Sequence, residues 1–233
     1  MSRKFRKTIS DLTQRSLIAH NNPKSPISEQ YRTIRTNIQF ASVDKEFKTL
    51  MVTSSGPGEG KSTTAANLAV VLAQQGKRVL LIDGDLRKPT VHYTFKVSNI
   101  YGVTNVLTRQ MPLKDTVVKT KIPDLDVLPS GPVPPNPSEL INSKSMDNLI
   151  EEAQGFYDYI LFDTPPVLAV TDGQLLSSKV DGVILVVSSG KTEVEAAVKA
   201  RDLLLHAKAK VIGTVLNAKD ISNDNYYYYY GAN

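Results

Sequence analysis

Residues 49–64 constrain the fold of this chain most strongly, because they read as a strand, a glycine-rich turn and a helix in direct succession. A short apolar run stops at Ser54, three glycines follow within the next six residues, and a helix-forming stretch begins near Lys61. Glycine lets the backbone approach a phosphate closely, and the N–H groups of the turn and of the helix start can bind it. The common phosphate-loop pattern, G-x-x-x-x-G-K-[ST], is matched except at its first position, where this chain has Ser55. The segment therefore predicts a nucleotide phosphate site; the alternative is a glycine-rich loop that ends in Gly-Lys-Ser by chance.

The phosphate loop also predicts the roles of individual residues. The Lys61 ammonium would reach the β- and γ-phosphates, and the Ser62 hydroxyl would bind Mg²⁺. ATP and Mg²⁺ are therefore the expected cofactors. The predicted nucleotide-binding residues are Gly56, Pro57, Gly58, Glu59, Gly60, Lys61, Ser62 and Thr63.

The rest of the chain alternates between apolar, strand-like runs and amphipathic, helix-like segments. The apolar runs lie at 49–53, 78–82, 125–128, 157–162, 182–187 and 210–216. The amphipathic segments lie at 62–75, 145–154, 171–178 and 192–206. Near-continuous apolar strands that alternate with helices are typical of a parallel sheet covered on both faces. We therefore predict an α/β fold with a mostly parallel, twisted sheet and helices on both of its faces.

Composition divides the chain into three segments. Residues 1–25 are basic and polar, and we expect them to lack regular structure. A helix with an apolar stripe at helical spacing is predicted to start at Ser28, so the α/β domain is expected to occupy residues 26–220. Residues 221–233 have low complexity and are expected to form a flexible, tyrosine-rich tail.

Charge and composition exclude several classes of protein. The chain has no cysteine, which excludes disulfides and cysteine-bound metals. No apolar run is long enough to span a bilayer and the N-terminus does not resemble a signal peptide, so we expect a soluble, cytoplasmic protein. The first 35 residues hold eight lysines and arginines against two acids, whereas the remaining residues hold 20 against 21. The basic first 35 residues are either a solvated terminus or a contact for anionic lipid or an acidic partner. Because positive and negative charges nearly balance in the rest of the chain, we do not expect nucleic-acid binding.

Acidic residues follow two of the predicted strands. Asp83 and Asp85 end the second strand, and Asp163 ends the run at 157–162. In open parallel sheets ligands bind at the carboxyl ends of the strands, so these acids are expected near the phosphate loop. A Mg²⁺ ion on nucleotide phosphates needs one or two carboxylates, and a further acid could accept a proton from an attacking hydroxyl. The alternative for each single aspartate is a turn former or a helix cap.

Together these motifs resemble those of the bacterial tyrosine kinases of capsule and exopolysaccharide synthesis. The resemblance lies in the phosphate loop SSGPGEGKST, the acidic strands LLIDGDLRKPT and ILFDTPP, the segments SEQYRTIRTNI and SGPVPPNPSEL, and the tyrosine tail. It implies a P-loop NTPase fold related to the division and partition ATPases. It also implies the subtype in which a separate soluble kinase chain is activated by a membrane protein and recruited by it to the inner face of the cell membrane.

The resemblance assigns roles to the site residues. Lys61 and Ser62 would bind phosphates and Mg²⁺, and Asp83 would be the base for the tyrosine hydroxyl. Asp85 would help to hold the metal and Asp163 would complete its site. The implied catalytic set is therefore Asp83, Lys61 and Asp85, and the implied metal ligands are Ser62, Asp85 and Asp163.

Two further implications concern the nucleotide base and self-association. Asn217 ends the last predicted strand where related ATPases contact adenine; an Asn at a turn is the alternative. Glu29, Arg32 and Arg35 match the family's E-x-x-R-x-x-R self-association motif, which implies a homo-oligomer, expected to be a ring. On spacing alone, a solvated helix face with weak local ion pairs would explain these three residues equally well.

The C-terminal tail determines the predicted reaction. It contains five consecutive tyrosines, Tyr226, Tyr227, Tyr228, Tyr229 and Tyr230. A flexible tail of this kind is a reasonable phosphoacceptor, although an adhesive aromatic tail or a partner-docking peptide would have the same composition. We therefore expect an ATP-dependent protein tyrosine kinase that phosphorylates this cluster and other tyrosine-containing proteins, and that regulates capsular or exopolysaccharide synthesis and export.

Two other functions are alternatives to the kinase. A partition- or division-type switch ATPase without kinase activity is the main alternative, and it normally carries an extra lysine five residues before the loop lysine. This chain has Gly56 there, which argues against that class. A non-enzymatic scaffold held together by ATP is the other alternative.

Overall fold

A computed structural model of the chain describes residues 17–41 and 46–220. Its strands are β1 (Thr49–Ser54), β2 (Val79–Asp83), β3 (Val118–Lys119), β4 (Leu125–Leu128), β5 (Tyr159–Asp163), β6 (Gly182–Ser188) and β7 (Val211–Asn217). Its helices are α1 (Ile18–Asn21), α2 (Pro26–Phe40), α3 (Lys61–Ala73), α4 (Val91–Phe95), α5 (Val103–Leu107), α6 (Leu113–Thr116), α7 (Pro137–Asn142), α8 (Lys144–Gln154), α9 (Asp172–Ser177) and α10 (Val194–His206).

The strands of the described residues form a seven-stranded sheet in the order β3-β4-β2-β5-β1-β6-β7. All neighbouring pairs are parallel except β3 and β4, which are antiparallel at one edge. This confirms the predicted mostly parallel α/β sheet. Because β1, β2 and β5 run side by side in the same direction, their carboxyl ends meet at one edge of the sheet.

Two hydrophobic layers cover the sheet, one on each face. Along β1, Leu50 and Val52 pack into one layer, whereas Met51 packs into the other, as the two-residue period of a strand requires. The first layer contains α2 and α3, and the second contains α5, α8, α9 and α10. Burial on both faces explains why the strand sequences are nearly continuous apolar runs.

Helix α3 follows the phosphate loop directly and lies deep in the first layer. Eleven of its residues are buried, and their side chains include alanine, valine and leucine around the whole helix. A helix that is apolar all round is typical of a core position. The start of α3, which carries Lys61 and Ser62, is therefore held firmly against the sheet.

The N-terminal part of the described chain differs from the expectation. The predicted irregular segment 1–25 contains helix α1, in which Ala19 is fully buried and donates its N–H to Asn67 Oδ1 at 2.9 Å. The prediction therefore fails for residues 17–25, because α3 offers polar groups that bind the backbone of this segment, and residues 1–16 lie outside the described residues.

Helix α2 begins before the predicted Ser28. Ser25 is the N-cap, its side chain accepts the Ser28 N–H at 3.1 Å, and Pro26 occupies the first turn, where a missing N–H costs nothing. Ser28 itself is buried and donates to the Asn22 carbonyl at 2.7 Å.

The predicted tail 221–233 lies outside the described residues. No helix within the described ranges has the length and hydropathy needed to cross a bilayer.

The docking of α1 can be tested by charging its buried face. Ala19→Asp should lower the free energy of unfolding by about 3 kcal/mol, because it places a carboxylate in an apolar layer without a cationic partner. His20→Asp, at an exposed position of the same helix, is the matched control. Chemical denaturation measures both variants, and equal stabilities would show that α1 is not docked on α3.

Candidate functional site

The phosphate loop connects β1 to α3 and has a defined backbone shape. Gly58 and Gly60 have φ values of 73° and 97°, in the left-handed region that favours glycine. Ser55 does not have a positive φ, so serine is tolerated where the common pattern has glycine. Its N–H donates to the buried Glu59 carboxylate at 3.0 Å, and Ser54 Oγ donates to the Gly56 carbonyl at 2.8 Å. Internal hydrogen bonds therefore hold the turn that the sequence predicted.

Lys61 lies between two of the predicted acids. Its Nζ is 3.3 Å from Asp163 Oδ1 and 3.6 Å from Asp85 Oδ2. The same ammonium donates to Ser62 Oγ at 3.1 Å. The structure thus brings together Lys61, Ser62, Asp85 and Asp163, which come from three different strand ends. Thr63, the next predicted nucleotide residue, follows in the first turn of α3.

Asp83 completes this group and is fully buried. The β2–β5 register places it directly opposite Asp163. Its Oδ2 accepts the N–H groups of Thr90 at 2.8 Å and Val91 at 2.9 Å. Its Oδ1 has no hydrogen-bond partner among the described residues. One carboxylate oxygen is therefore fixed by the backbone, and the other is buried without a hydrogen-bond partner in the described ranges.

The surroundings of Asp83 raise its pKa to about 7. Burial is the largest cause, because it disfavours the ionised form, and the nearby Asp163 carboxylate adds to it. The two backbone hydrogen bonds act in the opposite direction. A carboxyl group with this pKa is suited to exchange a proton near neutral pH.

The donor set fits Mg²⁺ bound together with phosphates. Ser62, Asp85 and Asp163 offer only oxygen atoms, which are the ligands of a hard cation, and the cleft already accommodates the Lys61 ammonium. Within the described ranges, no three acidic, histidine or cysteine side chains converge as a preformed cage. Mg²⁺ in nucleotide sites uses one or two carboxylates and keeps waters and phosphate oxygens, so a cage is not required.

The loop that carries Asp85 is tied to the first turns of two helices, α7 and α9. Arg87 forms a bidentate pair with the buried Asp172, with Nε to Oδ2 at 2.8 Å and Nη2 to Oδ1 at 3.1 Å. Ser138 Oγ, at the start of α7, donates to the same carboxylate at 2.6 Å. The hydrogen bond to Asp172 raises the pKa of Arg87. Asp85 Oδ1 in turn accepts the Lys88 N–H at 2.9 Å, so this network fixes the orientation of Asp85.

Two residues beyond the main group contact the phosphate loop. Asn217, at the end of β7, donates from Nδ2 to the Glu59 carbonyl at 2.9 Å, and a Cβ on Gly60 would collide with its side chain. Its predicted contact with adenine stays a prediction. Lys191 places Nζ 3.1 Å from the Gly58 carbonyl oxygen and was not predicted. It follows the carboxyl end of β6, so the strand-end argument applied to Asp83 could have found it.

The predicted self-association residues lie on α2 and make contacts within the chain. Arg32 Nη1 pairs with Glu29 Oε2 at 2.7 Å, and Arg35 Nη1 donates to the Val71 carbonyl of α3 at 2.9 Å. Burial is the largest cause of a lowered pKa at Arg35. These contacts leave self-association untested. The predicted acceptors Tyr226–Tyr230 lie outside the described residues.

Known proteins match this chain along most of its length. A family model described as an AAA domain matches residues 47–200. The tyrosine-protein kinase YwqD of Bacillus subtilis (strain 168) is 56% identical over 227 residues, which cover 97% of this chain and 96% of that relative. Among solved structures, the chimerical protein CapA2B2 matches with a TM-score of 0.83 at 47% sequence identity. The match covers 86% of this chain and 88% of the CapA2B2 chain.

A more distant match connects the fold to nucleotide binding. The septum site-determining protein MinD of Pyrococcus horikoshii OT3, complexed with Mg-ADP, has a TM-score of 0.62 at 26% identity. The match covers 72% of this chain and 69% of that one. Together with the AAA domain match, it confirms the predicted P-loop NTPase fold.

The raised pKa of Asp83 predicts a pH-dependent stability. A carboxyl group whose pKa is higher in the folded than in the unfolded chain contributes stability below the unfolded pKa and loses it as pH rises through the folded value. Without nucleotide and Mg²⁺, Asp83→Asn should therefore melt several degrees above the parent at pH 8, and this gap should shrink steadily as pH falls to about 4.

Thermal unfolding across this pH range measures the effect. Asp124→Asn, at an exposed loop position, controls for the loss of one negative charge. If the difference in melting temperature between Asp83→Asn and the parent does not change with pH, the environment assigned to Asp83 is wrong.

Proposed function

The chain belongs to the family of bacterial tyrosine-protein kinases, and we propose that it transfers the γ-phosphoryl group of ATP to tyrosine hydroxyls in capsular or exopolysaccharide synthesis. The observation that carries this proposal is the convergence of Lys61, Asp85 and Asp163 beside Asp83, whose Oδ1 is free of partners in the described ranges. The cluster offers a cation for phosphate, oxygen ligands for Mg²⁺ and a buried base within one cleft.

Phosphoryl transfer requires positioning and charge neutralisation more than covalent chemistry by the protein. The N–H groups of the phosphate loop and the Lys61 ammonium bind the nucleotide phosphates. Lys61 contacts two carboxylates in the structure, and phosphate oxygens can replace them as its partners. Ser62, Asp85 and Asp163 would hold Mg²⁺, which offsets negative charge on the β- and γ-phosphates when it is bound.

Asp83 acts on the tyrosine hydroxyl that accepts the phosphoryl group. Its Oδ2 is held by Thr90 and Val91, so Oδ1 keeps a fixed direction in which it accepts the hydrogen of a tyrosine hydroxyl. Asp83 takes that proton as the phenolic oxygen bonds to the γ-phosphorus, while the bond from this phosphorus to the β-phosphate oxygen breaks and ADP leaves. The network of Arg87, Asp172 and Ser138 keeps the neighbouring loop in place during this step.

The acceptors that we propose are the tail tyrosines Tyr226–Tyr230 and tyrosines of other proteins. Each phosphate adds about −1.5 to −2 charges, so several on adjacent tyrosines repel one another and nearby acids. The proposal includes a homo-oligomer through Glu29, Arg32 and Arg35. It also includes a membrane-protein activator that recruits the cytoplasmic chain to the inner face of the membrane, and the match to a CapA2B2 chimera supports such a two-protein system.

The switch-ATPase function is the competing candidate because of the MinD match. Gly56 argues against it, since the extra lysine of that class is missing at this position. The two functions differ in the fate of the phosphoryl group, which goes to tyrosine in a kinase and to water in a switch ATPase.

Loss of the loop lysine should abolish the reaction. Lys61→Met removes the cation from the phosphate site, and we expect tyrosine phosphorylation to fall by at least about 100-fold. Full-length chain is incubated with Mg-ATP and the cytoplasmic segment of a candidate activator, and phosphotyrosine is mapped by mass spectrometry. Lys199→Met, an exposed lysine on α10, is the control, and normal tail phosphorylation in Lys61→Met would refute the phosphate-site assignment.

Asp83→Asn should separate catalysis from binding. The amide keeps an oxygen for the Thr90 and Val91 N–H groups but is not a base, so we expect the transfer rate to fall about 10²- to 10⁴-fold. Nucleotide affinity, measured by fluorescence titration, should change by less than about threefold. Equal losses in rate and affinity would instead identify Asp83 as a metal ligand.

A further inference from the structure

Lys191 lies on the outer side of the phosphate loop, in the short connection between β6 and α10. Its Nζ is 3.1 Å from the Gly58 carbonyl oxygen and 3.4 Å from the Pro57 carbonyl oxygen. Among the described residues, it forms no ion pair with a carboxylate. The charge of this lysine is therefore directed at two backbone dipoles of the phosphate loop.

The backbone around Lys191 is fixed by its own turn. The N–H groups of Lys191 and Thr192 both donate to the Ser188 carbonyl, at 3.2 and 2.9 Å, and Thr192 Oγ1 accepts the Ser188 N–H at 2.8 Å. Gly190 has a φ of 68°, which permits this tight turn. Lys191 thus projects from a hydrogen-bonded turn at the end of a buried strand.

Peptide geometry connects this contact to the phosphate site. In a trans peptide unit the C=O and N–H bonds point in opposite directions, and the described residues contain no cis peptide bond. The Pro57 carbonyl shares its unit with the Gly58 N–H, and the Gly58 carbonyl shares its unit with the Glu59 N–H. Both carbonyls face Lys191, so both N–H groups point away from it. Neither N–H donates to a protein acceptor within the described ranges.

Lys191 Nζ lies close to the position that a Cβ on Gly58 would take. A Cβ at this position would lie 2.9 Å from Lys191 Nζ, closer than carbon and nitrogen pack. The end of this flexible side chain could shift to make room, so it is the φ of 73° that requires glycine here.

We propose that Lys191 is a positioning residue of the phosphate loop. Its ammonium binds the outward carbonyls of Pro57 and Gly58 and so orients the N–H groups of Gly58 and Glu59 toward a nucleotide phosphate. A cation on the carbonyl side also polarises each peptide unit and strengthens its N–H as a donor. This inference rests on the proposed nucleotide binding at the same loop.

Nucleotide affinity tests the proposal without a need for kinase turnover. Full-length parent, Lys191→Met, Lys191→Arg and Lys199→Met are titrated with Mg-ADP and with a non-hydrolysable Mg-ATP analogue by isothermal calorimetry. Lys191→Met should weaken both nucleotides about 3- to 10-fold and by equal factors, because the loop binds phosphates that they share. Lys191→Arg should stay within about twofold of the parent, since it keeps a cation on the carbonyls, and Lys199→Met should equal the parent.

The other outcomes overturn the inference in distinct ways. Unchanged affinity in Lys191→Met would show that the contact has no role in nucleotide binding. A loss confined to the ATP analogue would identify Lys191 as a direct contact of the γ-phosphate. A lowered unfolding temperature of nucleotide-free Lys191→Met, with no rescue by Lys191→Arg, would identify a purely structural role. A parent chain that binds neither nucleotide would overturn the proposed function itself.

Discussion

The pairing of β2 with β5 is the constraint on which the rest of the site depends. Its register places Asp83 opposite Asp163, so that two carboxylates are held side by side in the protein interior by backbone hydrogen bonds. Two buried carboxylates that lie side by side disfavour each other's ionisation, and the Asp163 carboxylate accordingly raises the pKa of Asp83. Lys61 supplies a counterion to Asp163, and the Thr90 and Val91 N–H groups supply hydrogen bonds to Asp83. The backbone pairing of β2 with β5 thus keeps the Asp83 and Asp163 carboxylates adjacent although their charges repel each other.

The phosphate loop depends on a second set of contacts from the far strands. Asn217 at the end of β7 binds the Glu59 carbonyl, and Lys191 after β6 binds the Pro57 and Gly58 carbonyls. These contacts occupy carbonyl oxygens on the outside of the loop, and the loop N–H groups are then available on the inside. The turn after β6 and the end of β7 therefore contact the phosphate loop although they carry none of the acids of the cluster.

Much of this arrangement could be predicted from the sequence, because strand direction and strand ends follow from local patterns. The apolar runs gave six strands of the described sheet, and Asp83, Asp85 and Asp163 were placed beside Lys61 by the rule that ligands bind at the carboxyl ends of parallel strands. The two-residue strand β3 was missed because so short a segment has no detectable period.

The remaining features depend on contacts between distant residues. Arg87 and Asp172 are 85 positions apart, and no local pattern shows that they pair. Helix α1 was missed because four residues are too few for a detectable period, and because its docking depends on a hydrogen bond to Asn67, 48 positions away. The pKa of Asp83 depends on burial and on Asp163, which only the folded chain brings together.

The ratio of phosphotyrosine formed to ATP consumed tests the central claim most directly. Full-length chain with an activator segment is supplied with Mg-ATP, and both quantities are measured over the first turnovers. The account predicts a ratio near one, with phosphate on Tyr226–Tyr230, because the acid cluster directs the γ-phosphoryl group to a tyrosine hydroxyl. ATP consumption with unmodified tyrosines would contradict it, since the phosphoryl group would then be passing to water.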